Sequence, residues 1–73
     1  MEHEFKFFAI KNPLPNGATV LAFKQRSNDH GVVCARTHGA HEYVTWAVDA
    51  NSDAYWGHYF KTYDEAIVDW KER

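Results

Sequence analysis

Seventy-three residues, a quarter of them charged, suffice for one small folded domain and exclude a second core; at this size a deep substrate cavity is hard to accommodate. A net charge of −2 excludes both a polyanion that imitates DNA and a cation built to grip it. Residues 1–37 carry five basic and three acidic side chains, and residues 38–73 carry three basic and seven acidic ones, so the chain is dipolar. Cys34 is the one cysteine, which rules out an intrachain disulfide and fits a reducing compartment. The longest apolar runs, Phe7 to Ile10 and Val20 to Phe23, fall far short of the ~20 residues of a membrane span. Glu2 and Glu4 give the start the wrong sign for a secretory signal. Together these features predict a cytoplasmic protein with no membrane partner.

In chain order, residues 4–10 fit either a short strand or a helical turn. Asn12-Pro13-Leu14-Pro15-Asn16-Gly17 is turn-forming, because the prolines fix φ and Gly17 tolerates positive φ. Four strands are predicted next: Ala18–Arg26, Val32–Thr37, Glu42–Asp49 and Ala54–Phe60. The loops between them are short, so neighbouring strands should be antiparallel. Thr62-Tyr63-Asp64-Glu65 has capping-box spacing, with Thr62 as N-cap. Tyr63, Ala66, Ile67 and Trp70 then form one apolar helical stripe. Asp64 and Glu65 suit the positive helix start, and Lys71 and Arg73 its negative end. The expected fold is α+β: an N-terminal segment over 1–17, a four-stranded antiparallel β-meander over 18–60, and a C-terminal α-helix over 62–73 packed on one face.

Alternation along the third strand puts Val44, Trp46 and Val48 on an apolar face and Tyr43, Thr45, Ala47 and Asp49 on the other. In the fourth, Trp56 and Phe60 are expected inside, which leaves Tyr55 and Tyr59 outside with their hydroxyls wet. The outer face then shows Tyr43, Thr45, Tyr55 and Tyr59, joined by Lys24 and Arg36. This is the predicted binding surface. A one-residue slip in register exchanges the two faces. The competing reading folds Phe5, Phe7 or Phe8 back over the tyrosines. Five Phe, four Tyr and three Trp are more large aromatics than one sheet–helix layer readily buries.

Cys34, His38 and His41 read C-x3-H-x2-H, with His58 or His30 as a fourth donor. The spacing is not a common zinc pattern, and Cys34 inside a strand reads as a small buried residue, so no metal and no cofactor are expected. No helix start or elbow activates Cys34 as a nucleophile. There is no Gly-rich phosphate loop and no HExxH. His58 reads as a core histidine at a sheet end with one hydrogen bond. Asp49, Asn51 and Asp53 read as a solvated turn, because the segment lacks the length and bidentate glutamate of a calcium loop. No catalytic residue and no small-molecule substrate are expected.

Glu42-Tyr43-Val44-Thr45-Trp46, then Tyr55-Trp56-Gly57-His58-Tyr59-Phe60, then Glu65-Ala66, Asp69-Trp70 and Arg73 form a recognisable series. Over residues 42–73 it resembles a group of short proteins of phages, plasmids and other bacterial mobile elements that share a YVTW, YWGHYF, EA..DW pattern. The aromatic hexapeptide is the specific part; residues 1–41 lie outside the match. The resemblance supplies no catalytic residue. It implies a setting in which small stand-alone proteins act by binding a host protein, as anti-CRISPR and other anti-defence factors do. The leading expectation is a non-catalytic protein-binding module, as a homodimer or as an inhibitor of a host factor. The alternative is single-stranded nucleic-acid binding. In that case Tyr43, Tyr55 and Tyr59 serve as stacking planes, with Lys24, Arg26 and Arg36 near phosphates.

Overall fold

A computed structural model describes residues 6–73. Four strands form one sheet in the order β1-β2-β3-β4: β1 over Thr19–Ser27, β2 over His30–Arg36, β3 over Tyr43–Asp49 and β4 over Ala54–Phe60. Every neighbouring pair is antiparallel. Helix α1, Tyr63–Glu72, follows and packs on the sheet. The expected α+β meander with its C-terminal helix is thus the fold. Asn28 and Asp29 alone form the turn between β1 and β2, a tighter link than the five-residue loop the sequence suggests.

The sheet is covered on both sides. Val33, Ala35, Val44, Trp46 and Val48 line one face and pack with Leu14 and Ala18; Ile10, Val20, Phe23 and Ala54 lean on this core. The cover here is the N-terminal segment, not the helix. Residues 6–10 have no regular structure, so of the residue 4–10 alternatives neither a strand nor a helical turn forms in that part; residues 4 and 5 lie outside the described residues. Side chains tie the segment down instead. Lys6 N–H donates to Asn28 Oδ1, Phe8 N–H to Gln25 Oε1 and Lys11 N–H to Ser52 Oγ. The Asn12 amide caps the outer edge of β1, accepting from Val20 N–H at 3.0 Å and donating to Val20 O at 3.3 Å. Phe8 also meets Phe23 ring to ring at 5.6 Å.

The helix covers the opposite face, where Val32, Cys34, Thr45 and Ala47 are buried. The helical stripe through Ala66, Asp69, Trp70 and Arg73 turns inward, and its polar members find polar partners there. Trp70 Nε1–H donates to Val32 O at 3.0 Å, and Arg73 donates to Thr45 O at 3.0 Å. Half of this stripe is charged, so it fits the Thr45 face and not the wholly apolar Val44/Trp46/Val48 face.

Alternation fails in β4. Thr45 faces His58 and Ala47 faces Tyr55, so Trp56 and Gly57 together oppose Trp46. The extra residue is a β-bulge. Trp56 takes φ 53°, the left-handed region usually left to glycine. The expectation that Trp56 lies inside is corrected: it is 76 % exposed. The bulge also separates Tyr55 from Tyr59. Tyr55 stays on the helix face with Ala47, while Tyr59 sits beside Val44 on the other.

Candidate functional site

The residues expected on one open face are divided by the fold. Thr45 is fully buried beneath the helix, and Tyr43 is half-buried there, edge-on to Tyr63 at 6.0 Å between ring centroids. Tyr59 is 56 % exposed but on the opposite face. Arg36 pairs with Glu42 at 3.7 Å, both half in water, a contact of little energetic weight. Tyr43, Tyr55 and Tyr59 therefore do not share one face: the first two lie on the helix side and Tyr59 on the other. Lys24 and Tyr55 share the helix face but stand on opposite edge strands, at the two ends of one cross-strand row, Lys24–Val32–Ala47–Tyr55.

The middle of that row, Val32 and Ala47, is buried under the helix, and its two ends lie on the edge strands. At one end the Lys24 ammonium lies 4.7 Å over the Trp70 ring and donates to Lys71 O at 3.2 Å. Removal from water, and then the nearby Arg26 charge, lower the Lys24 pKa from its ordinary value. This ammonium is anchored by a cation–π contact and a carbonyl at once. At the other end His30 meets Tyr55 at 6.4 Å, and Tyr55 meets Trp56 edge-on at 5.0 Å. The bulge aims the Trp56 indole outward, and the Tyr55 ring holds it there. Alternation alone could not reveal Trp56, because a bulge shifts the period by one. The one local signal is Gly57, which follows it. A Cβ on Gly57 would stand 2.6 Å from Trp46 Nε1, so any larger residue there must displace the indole.

Under the helix, Cys34, Thr45 and His58 occupy one cross-strand row. Asp69 reaches down to it, accepting from Thr45 Oγ1 and bonding His58 Nδ1 at 2.9 Å. Arg73 also donates to Thr45 Oγ1 at 3.1 Å. Burial pushes the Asp69 carboxyl upward. The hydrogen bonds from Thr45 and His58 and the charges of His58 and Arg73 outweigh this and hold it below its ordinary value. The Cys34 thiol is pushed up by burial and by the Asp69 charge. Cysteine, histidine and aspartate thus lie close without forming a nucleophilic site. Thr45 separates the thiol from the imidazole, and both influences on the sulfur oppose the thiolate. Cys34 faces the helix, whereas His38 and His41 line a groove on the other side. Among the described residues, no three His, Cys, Asp or Glu side chains are grouped to hold a metal ion.

The groove lies between the Pro-containing turn and the β2–β3 loop, with a volume of about 570 Å³. Trp46 forms its floor and Tyr59 one wall; the rings stand edge-on at 6.4 Å, and His41 meets Tyr59 at 6.3 Å. A cavity was not expected in so short a chain. It arises because two loops rise above the sheet and enclose space outside the core. Among the described residues, no helix is long and apolar enough to cross a membrane. No protein-family model, curated protein or solved structure matches this chain.

Proposed function

We propose that this chain is a non-catalytic protein-binding module whose contact surface is the Trp56/Tyr55 corner. The observation that carries this reading is Trp56: the bulkiest side chain of all, 76 % exposed, on a backbone with φ 53°. A non-glycine residue in that region stores about 1–3 kcal/mol, and such strain clusters at functional positions. Trp and Tyr are also the residue types that dominate interface energetics. The hydrogen-bonded Asp69 cluster, part-buried over Thr45, supports a structural rather than a catalytic role for the polar groups under the helix. Given the resemblance to mobile-element proteins, the partner is a bacterial host protein, bound in an inhibitory, anti-defence manner.

Trp56→Gly separates binding from folding. Glycine relaxes the left-handed backbone, so the free energy of unfolding should stay within about 1 kcal/mol of the parent, strain relief offsetting the lost Tyr55 contact. Affinity capture from bacterial lysate should lose, with Trp56→Gly, the partner retained by the parent protein. A strongly destabilised Trp56→Gly would make the indole part of the fold. An unchanged capture profile would remove Trp56 from the interface. Either result overturns the reading.

A further inference from the structure

We propose that the groove over Trp46 binds a small aromatic carboxylate, at a site independent of the Trp56 corner. Its walls are preformed. Thr37 N–H donates to Glu42 O at 2.7 Å, and Thr37 Oγ1 donates to His41 O at 2.8 Å; these bonds fix the β2–β3 loop. Gly17 N–H donates to Leu14 O at 2.8 Å, and Ala18 N–H to Asn16 Oδ1 at 3.0 Å; these fix the opposite wall. The floor is held by shape, since Trp46 fills the space left by the missing Cβ of Gly57. A volume of about 570 Å³ suits one ring system with a short side arm and falls in the usual range of small-molecule sites.

The chemistry of the lining selects the ligand. Trp46 and Tyr59 stand edge-on to each other, which leaves an aromatic corner where a third ring can pack edge-to-face. His38 and His41, both exposed, supply imidazole N–H donors from the loop. No Asp, Glu, Lys or Arg lines the groove. The charged groups flanking the loop, Arg36 and Glu42, are paired with each other at 3.7 Å. The groove therefore offers donors and no carboxylate to a charged ligand. A ring carrying a carboxylate satisfies both halves of the lining; a ring carrying an ammonium meets no anionic partner.

The test is a nuclear magnetic resonance titration of the full chain with three probes of one ring system: indole-3-acetate, indole and tryptamine. Saturable shifts are expected for indole-3-acetate at the Trp46 Nε1–H, at Tyr59 and at the amides of residues 37–41. Tryptamine should bind about tenfold more weakly, the size of one charge-assisted hydrogen bond. The double variant His38→Ala, His41→Ala changes only exposed side chains, removes both donors and should abolish the preference for the acid while sparing indole. Trp56→Gly should leave all three affinities unchanged, which keeps this site separate from the protein-binding corner. Equal binding of acid and amine, or shifts centred on Trp56, overturns the proposal. So does the absence of saturable shifts at Trp46 and Tyr59.

Discussion

Asp69 is held by partners from three directions: the Thr45 hydroxyl in the middle of the sheet, the His58 ring on the edge strand and the Arg73 charge at the helix end. Its carboxyl titrates below the ordinary 3.8 in the folded chain. A depressed folded value means a contribution present above 3.8 and lost as pH falls through the folded pKa. Denaturant midpoints should therefore drop below pH 4, by the usual estimate for paired carboxylates, and Asp69→Asn should flatten that acid limb. Thr45→Val keeps the shape but removes the donor. It should cost about 1–3 kcal/mol in equilibrium unfolding at neutral pH, because the part-buried Asp69 Oδ2 is left with His58 as its side-chain partner. Little of this was legible in the sequence. His58 reads correctly as making one hydrogen bond, yet it is half-exposed at the helix edge and not in the core. Thr45 reads as a surface residue because a threonine among tyrosines looks solvated. Only a partner 24 residues away makes it an interior one.

The start of α1 follows from local chemistry, and so it was readable, whereas the β1–β2 turn is three residues shorter than the sequence suggests. Thr62 caps α1 as its spacing predicts: Glu65 N–H donates to Thr62 Oγ1 at 3.2 Å, with Thr62 Oγ1–H on Glu65 Oε1 at 2.9 Å. Thr62→Ala should cost about 1 kcal/mol in urea unfolding, the usual loss of an N-cap. Which face an element buries is a tertiary matter, and there the pattern misled. The apolar stripe omits Asp69 and Arg73, although both turn inward, while Val68, apolar, is 55 % exposed. In β4 the sequence marks the strand but not the bulge, since strand periodicity assumes an unbroken period of two. Gly57→Ala tests the bulge. Its Cβ would press on Trp46 and on Tyr59, and overpacking of this kind costs about 1–3 kcal/mol. The same change should weaken ligand binding in the groove, because its floor is Trp46.

At the scale of the molecule the protein is three layers: an irregular N-terminal segment, a meander and a helix. The first layer was the least legible, because it is held by side-chain bonds spanning 17 to 41 residues of sequence, not by a repeating pattern. Leu14, 2 % exposed in the core, is its main anchor. Leu14→Ala should cost about 2–5 kcal/mol, a core-sized loss from a residue in a turn. Cys34 lies at the middle of this assembly, fully shielded, with its ionisation opposed by burial and by a neighbouring anion. Because only the thiolate reacts, and only once solvent reaches it, a disulfide reagent must wait for the sheet and helix to part. The lone sulfur is therefore a built-in clock. Its labelling rate in native buffer reads how often the helix lifts from the sheet, without any dye or added tag.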